Sequence, residues 1–163
     1  MIVVSDTSPV RALVSIGCLD LLHALFENVV VPPAVARELS VRHELLAPFS
    51  VGDCAWMRLR APADVDRVNQ LRQSLDAGES EAIALAIEIG ADAVLIDERV
   101  GRRIAMNAGL QVIGVVGILV SARQRGLVVR VAPLLDELER SIRFRMSQEL
   151  RERALRDAGE WPQ

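Results

Sequence analysis

The sequence predicts an α/β fold: a three-layer α/β/α arrangement with a mostly parallel central sheet. Three observations lead there. The runs Ile2-Val3-Val4, Val29-Val30-Val31 and Ala93-Val94-Leu95-Ile96 are continuously apolar, as strands buried on both faces are. Between them lie segments whose apolar residues recur every three or four positions, the period of an amphipathic helix. Strands alternating with helices of about ten residues are the mark of βαβ units.

The first strand runs into Asp6, Thr7 and Ser8. Pro9 suits a first helical turn, Ser8 is the expected N-cap, and Val10, Leu13, Val14 and Ile16 lead to a stop at Gly17. Leu19 to Phe26 reads as a second helix, and Val29 to Val31 as a strand ended by Pro32 and Pro33. Pro33 opens a helix in which Val35 and Leu39 share a face and Glu38 follows one turn after Ala34. Residues 40 to 62, broken by Pro48, Gly52 and Pro62, read as variable loop with one strand between Ala55 and Leu59. Asp64 to Leu75 is expected as a helix, followed by a small-residue helix from Ala82 to Ile89 stopped by Gly90. After the strand Ala93 to Ile96 come a polar-fronted helix from Gly101 to Ala108 and a strand from Gln111 to Ile113. Helices follow over Val115 to Arg125, Pro133 to Ile142 and Ser147 to Ala158.

With no repeat or linker, residues 1–163 are expected to form a single domain, and the helical segment 133–158 is a candidate dimer or partner surface. No apolar run reaches the roughly 20 residues of a membrane span, and Met1 to Val10 lacks the basic start of a signal peptide, so a cytoplasmic protein without membrane association is expected. Cys18 and Cys54 are too few and too isolated for a disulfide framework or a zinc site, and neither His23 nor His43 is placed near the acids by any pattern. The net charge of −3 argues against a nonspecific polycation. All 19 basic residues are Arg, and the missing Lys removes a Walker A phosphate loop and Schiff-base chemistry.

What remains is a set of acids. Asp6 and Asp97 end two buried strands, where open α/β sheets collect their ligands. Glu38, Glu79 and Glu81 stand in or beside helices. Carboxylates in this arrangement suit Mg2+ or Mn2+, which a nuclease uses to activate water and neutralise phosphate. Each has a structural role to set against that one: Asp6 as a helix cap, Asp97 as a turn residue, Glu38 as a solvated acid. Asp76 and Glu79 have the spacing of a capping box. Glu79 and Glu81 point about 200° apart on one helix, and spacing alone does not choose between them.

The run Val3-Val4-Ser5-Asp6-Thr7-Ser8, the segment Val31 to Leu39, and the block from Gly78-Glu79-Ser80-Glu81-Ala82-Ile83 through Leu95-Ile96-Asp97-Glu98-Arg99 together resemble the PIN-domain family. Within it, the Gly-Glu-x-Glu-Ala-Ile signature resembles the bacterial and archaeal branch related to VapC toxins. The resemblance implies a Mg2+- or Mn2+-dependent endoribonuclease, the toxin of a type II toxin–antitoxin pair, with RNA as substrate, a cognate antitoxin as partner and often a homodimer. It matches Asp6 to the family's first acid, Ser8 to the small polar residue that supports the metal, Glu38 to the acid of the second motif and Asp97 to the acid after the fourth strand-like segment; Asp6 and Asp97 would then ligate the metal directly, and Glu38 and Glu79 would hold its waters or a second ion. Eighteen residues before Asp97 stands Glu79, where relatives commonly carry Asp, so the resemblance favours Glu79 over Glu81. Arg99, Arg102 and Arg103, just past Asp97, are candidates for the RNA backbone, with a solvated helix face as the plain alternative. With three Phe, two Trp and no Tyr, little is offered for base stacking.

Two other readings compete. A noncatalytic interaction module would keep the fold without the metal, but all four acidic positions are filled. A receiver-like or dehalogenase-like phosphoacceptor would also place Asp at strand ends, but such sites characteristically use a lysine. Asp6-Thr7-Ser8 also lacks the phosphatase motif's second Asp.

Overall fold

The computed structural model describes residues 1–162. Its strands β1 (Ile2–Ser5), β2 (Asn28–Val31), β3 (Met57–Leu59), β4 (Ala93–Leu95) and β5 (Val112–Ile113) form one sheet in the order β3-β2-β1-β4-β5. Every neighbouring pair is parallel, with Val4 level with Val30 on one side and Val94 on the other. The central strand β1 is thus covered on both edges and both faces, which is why Val3 and Val4 are fully buried.

The helices are α1 (Thr7–Ser15), α2 (Asp20–Leu25), α3 (Pro33–Leu39), α4 (Val65–Leu71), α5 (Ala77–Ile89), α6 (Arg99–Asn107), α7 (Val115–Gln124), α8 (Ala132–Ile142) and α9 (Gln148–Asp157). Strand alternation sorts them into two layers. Val3, Val29, Val31, Ala93 and Leu95 share a core with residues of α1, α2, α3, α7, α8 and α9. Val4, Val30, Val94 and Ile96 share another with α5 and α6. Ala82 to Ala86 of α5 are all fully buried, and their three alanines bring this helix close onto the sheet. Each buried Val, Leu or Ile in such a core contributes roughly 1.5–3 kcal/mol.

Several element ends differ from the sequence expectation. Helix α1 begins at Thr7 with Asp6 in the N-cap position, so Ser8 is its second residue and not its cap. Helix α4 stops at Leu71, four residues early, and the chain turns so that Leu75 reaches the α5 core. Helix α6 starts at Arg99, two residues before Gly101. Gly90 ends α5 with φ +59°, a left-handed conformation that glycine adopts without the strain a Cβ would bring. No helix among the described residues is long and apolar enough to cross a membrane.

Candidate metal centre

Asp6 follows directly on β1, and its amide donates to Leu95 O at 3.0 Å, extending the pairing with β4 into the turn. Its side chain makes no capping hydrogen bond, although it stands at the head of α1. Alternation explains this: Asp6 follows Val4 onto the α5 side of the sheet. There it is 3% exposed, and Oδ1 has no hydrogen-bond partner. One carboxylate oxygen each from Asp6, Glu38 and Asp76 lie within 4.8 Å of one another.

Glu38, on the last turn of α3, is held at both oxygens. The Thr7 hydroxyl donates to Oε2 at 2.5 Å and the Gly78 amide to Oε1 at 3.0 Å. The Arg11 guanidinium donates to the Glu38 carbonyl oxygen and ties the end of α3 to α1. Gly78 must be glycine for this approach: a Cβ there would stand 2.6 Å from Glu38 Oε2 and 3.1 Å from Asp6 Oδ1.

Asp76 was legible in the sequence only as a cap, and it is one. Asp76 Oδ1 accepts the Glu79 amide at 2.8 Å while Glu79 Oε2 accepts the Asp76 amide at 3.5 Å, completing the capping box. Its place beside Asp6 and Glu38 follows from the head of α5 meeting the carboxyl end of β1, which no local pattern announces. Glu79 is 6% exposed; its Oε1 has no partner and lies against α6, where a Cβ on Gly101 would come within 2.7 Å of it.

The other sequence candidates lie around this centre. Glu81 Oε2 accepts the Ala34 amide at 2.8 Å and so satisfies the head of α3; neither Glu81 nor Glu79 is among the three gathered acids. Asp97 ends β4 at the same sheet edge but follows Leu95 to the opposite face. Its Oδ1 accepts the Val115 amide at the head of α7 at 2.8 Å, and its buried Oδ2 has no partner. Arg102 is half-buried and donates to Ile96 O at 2.8 Å, whereas Arg99 and Arg103 are exposed on α6. Ser8 is half-buried in the first turn of α1.

Burial raises the Asp6 carboxyl well above the usual range; the Thr7 amide opposes this, and the charges of Glu79, Asp76 and Glu38 add to it. Glu79 is pushed up to about 7, first by burial and then by Asp76, with smaller contributions from Glu98 and Glu38 against the Asp76 amide. Asp97 is pushed up to about 6 by burial, against the Val115 amide and Arg102. Burial first, and at Asp6 and Glu79 the neighbouring carboxylates second, thus disfavour the ionised forms, and a cation would favour them. The donors of the centre are all carboxylate oxygens, the set that Mg2+ and Mn2+ prefer. Asp6 Oδ1 is a buried acceptor awaiting a partner, and the N-termini of α1 and α5 face the same place. The residues fit a divalent cation.

A family model described as a PIN domain matches residues 2–160. A search of curated proteins returns no match. Nor does a search of solved structures. PIN domains are generally nucleases that act on nucleic acid with divalent metals, and the acids gathered at the head of α5 are compatible with that chemistry. With a five-stranded parallel sheet between two helical layers and a match across nearly its whole length, the chain belongs to the PIN-domain family.

Proposed function

We propose that this chain is a Mg2+- or Mn2+-dependent endoribonuclease of the VapC-like kind, the toxin half of a type II toxin–antitoxin pair. The observation that carries the reading is the gathering of Asp6, Glu38 and Asp76 within 4.8 Å around a buried, unpartnered Asp6 Oδ1. These three would hold the cation, with Glu79 at its margin. A cation bound there supplies charge neutralisation at the phosphate and a more acidic water.

The chain's own groups supply the rest. Thr7 and Gly78 fix both oxygens of Glu38, so its carboxylate is oriented before substrate arrives. Glu79, with its pKa raised to about 7 in the cation-free protein, can hold a proton on its carboxyl group near neutral pH and release it when a cation binds beside it. Arg99 and Arg103 extend from α6 toward solvent with donors for phosphate oxygens, while Arg102 keeps one donor on Ile96 O. In this reading, residues 133–158, with exposed Arg140, Arg143, Arg145 and Arg153, meet the antitoxin or a second copy.

The test is a calorimetric titration of the chain with Mg2+ and with Mn2+, beside Asp6→Asn and Asp76→Asn, followed by cleavage of a single-stranded RNA by each. Binding and cleavage by the parent, both lost in the variants, are expected. Parent-like binding and cleavage by Asp6→Asn would overturn the assignment. Failure of both in a parent freed of any bound antitoxin would favour the interaction module.

A further inference from the structure

At the far side of the sheet from β5, strand β3 is an edge, paired only with β2. The Arg60 amide donates to Val31 O at 3.1 Å, toward β2, whereas the Met57 amide turns to Cys54 O at 3.0 Å. Because successive residues of a strand alternate, the N–H and C=O of Leu59 face outward, available to another strand. A groove of about 360 Å3 runs beside this edge, lined by Ala36, Val51, Met57 and Leu59 among others. Met57 and Leu59 project on one face of the strand and Arg58 on the other, with Arg60 following it. Leu59 is 61% exposed. Arg58 and Arg60 are exposed, and neither has an ion-pair partner among the described residues.

We propose that the β3 edge is a docking site for an extended, acidic segment of a partner protein in which aliphatic and acidic residues alternate. Its backbone pairs with Leu59, its aliphatic side chains enter the groove over Met57 and Leu59, and its carboxylates meet Arg58 and Arg60. Charge selects this occupant. A second copy pairing β3 to β3 about a two-fold axis would bring four guanidinium groups together across the new ladder, where like charges oppose pairing. A nucleic acid would gain from the two Arg but find no aromatic side chain lining the groove on which to stack a base. An alternating acidic strand satisfies the outward backbone, the apolar groove and the unpaired charge together.

The experiment uses blocked, fluorescein-labelled peptides alternating Val with Glu or Val with Lys, read by anisotropy with the parent and with an Arg58→Glu, Arg60→Glu double variant. Both substitutions are on exposed side chains, and circular dichroism checks that the fold is unchanged. Two exposed ion pairs predict that the parent prefers the Val–Glu peptide by about tenfold at low salt and that the double variant prefers the Val–Lys peptide. Amide exchange at Leu59 slows only in the complex. The proposal is overturned by binding indifferent to charge reversal, by an unchanged Leu59 exchange rate, or by Leu59 protection from self-association without peptide. Binding of an oligouridylate, in place of the peptide, that depends on Arg58 and Arg60 overturns it as well.

Discussion

Replacing Asp6 by Asn is expected to stabilise the cation-free protein while removing its response to Mg2+. Three carboxylate oxygens within 4.8 Å repel one another by about 3.5 kcal/mol per pair at an effective dielectric of about 20. Asp6 takes part in two such pairs. Proton uptake and the solvent at exposed Asp76 relieve much of this, so the net gain on neutralising Asp6 is about 2 kcal/mol. In a chain of this size that raises Tm by about 4–8 °C. The parent, at a cation concentration of about 100 Kd, gains about 2.7 kcal/mol by mass action, and the variant gains none. Thermal melts in chelator and in Mg2+ should therefore show the variant ahead in the first and the gap closed or inverted in the second. A variant less stable than the parent in chelator, or equally stabilised by Mg2+, would refute the idea that Asp6 is held in strain for a cation.

The pH dependence carries a definite sign. Glu79 is raised from 4.5 to about 7, so the folded state binds its proton more tightly than the unfolded chain, and cation-free stability falls as pH rises from about 4.5 to 7. Urea denaturation should find the cation-free protein less stable at pH 8 than at pH 5, with the difference reduced in Glu79→Gln. Gly78→Ala puts a Cβ 2.6 Å from Glu38 Oε2 and displaces that carboxylate from the amide that orients it. Calorimetry should find Mg2+ affinity down by tenfold or more, as expected for a lost charged hydrogen bond worth about 1.5–3 kcal/mol. Glu160 accepts the Val131 and Ala132 amides at 2.5 and 3.0 Å at the head of α8, so Glu160→Ala should cost about 2–4 kcal/mol in urea denaturation yet leave Mg2+ affinity unchanged.

The sheet was legible because its strands are short, uniformly apolar and separated by helix-period segments. The head of α3 was legible from Pro33, and the end of α5 from Gly90. The start of α1 was not: Asp6 continues the pairing with β4 through Leu95 O, so the helix begins without a spare residue for Ser8 to cap. At the site, sequence spacing could not separate Glu79 from Glu81, and the hydrogen-bond partner of Glu81, the Ala34 amide, is 47 residues away. Asp76 was hidden by its own local explanation, because a cap fully accounts for it until the head of α5 is seen beside β1. The face that Asp97 takes is a matter of parity that can be counted from Leu95, provided the strand's alternation is carried past its end.

Asp6, Glu38 and Asp76 belong to the start of α1, the end of α3 and the start of α5, three segments distant in the chain. An unfolded chain would have to close two long loops to bring them together, an entropic cost that leaves it with negligible cation affinity. A bound cation would therefore act as a reversible cross-link among three helices, and its removal would free α3 to open locally before the sheet gives way. Amide exchange in α3 should then follow free Mg2+ concentration, while exchange in β1 follows only global unfolding.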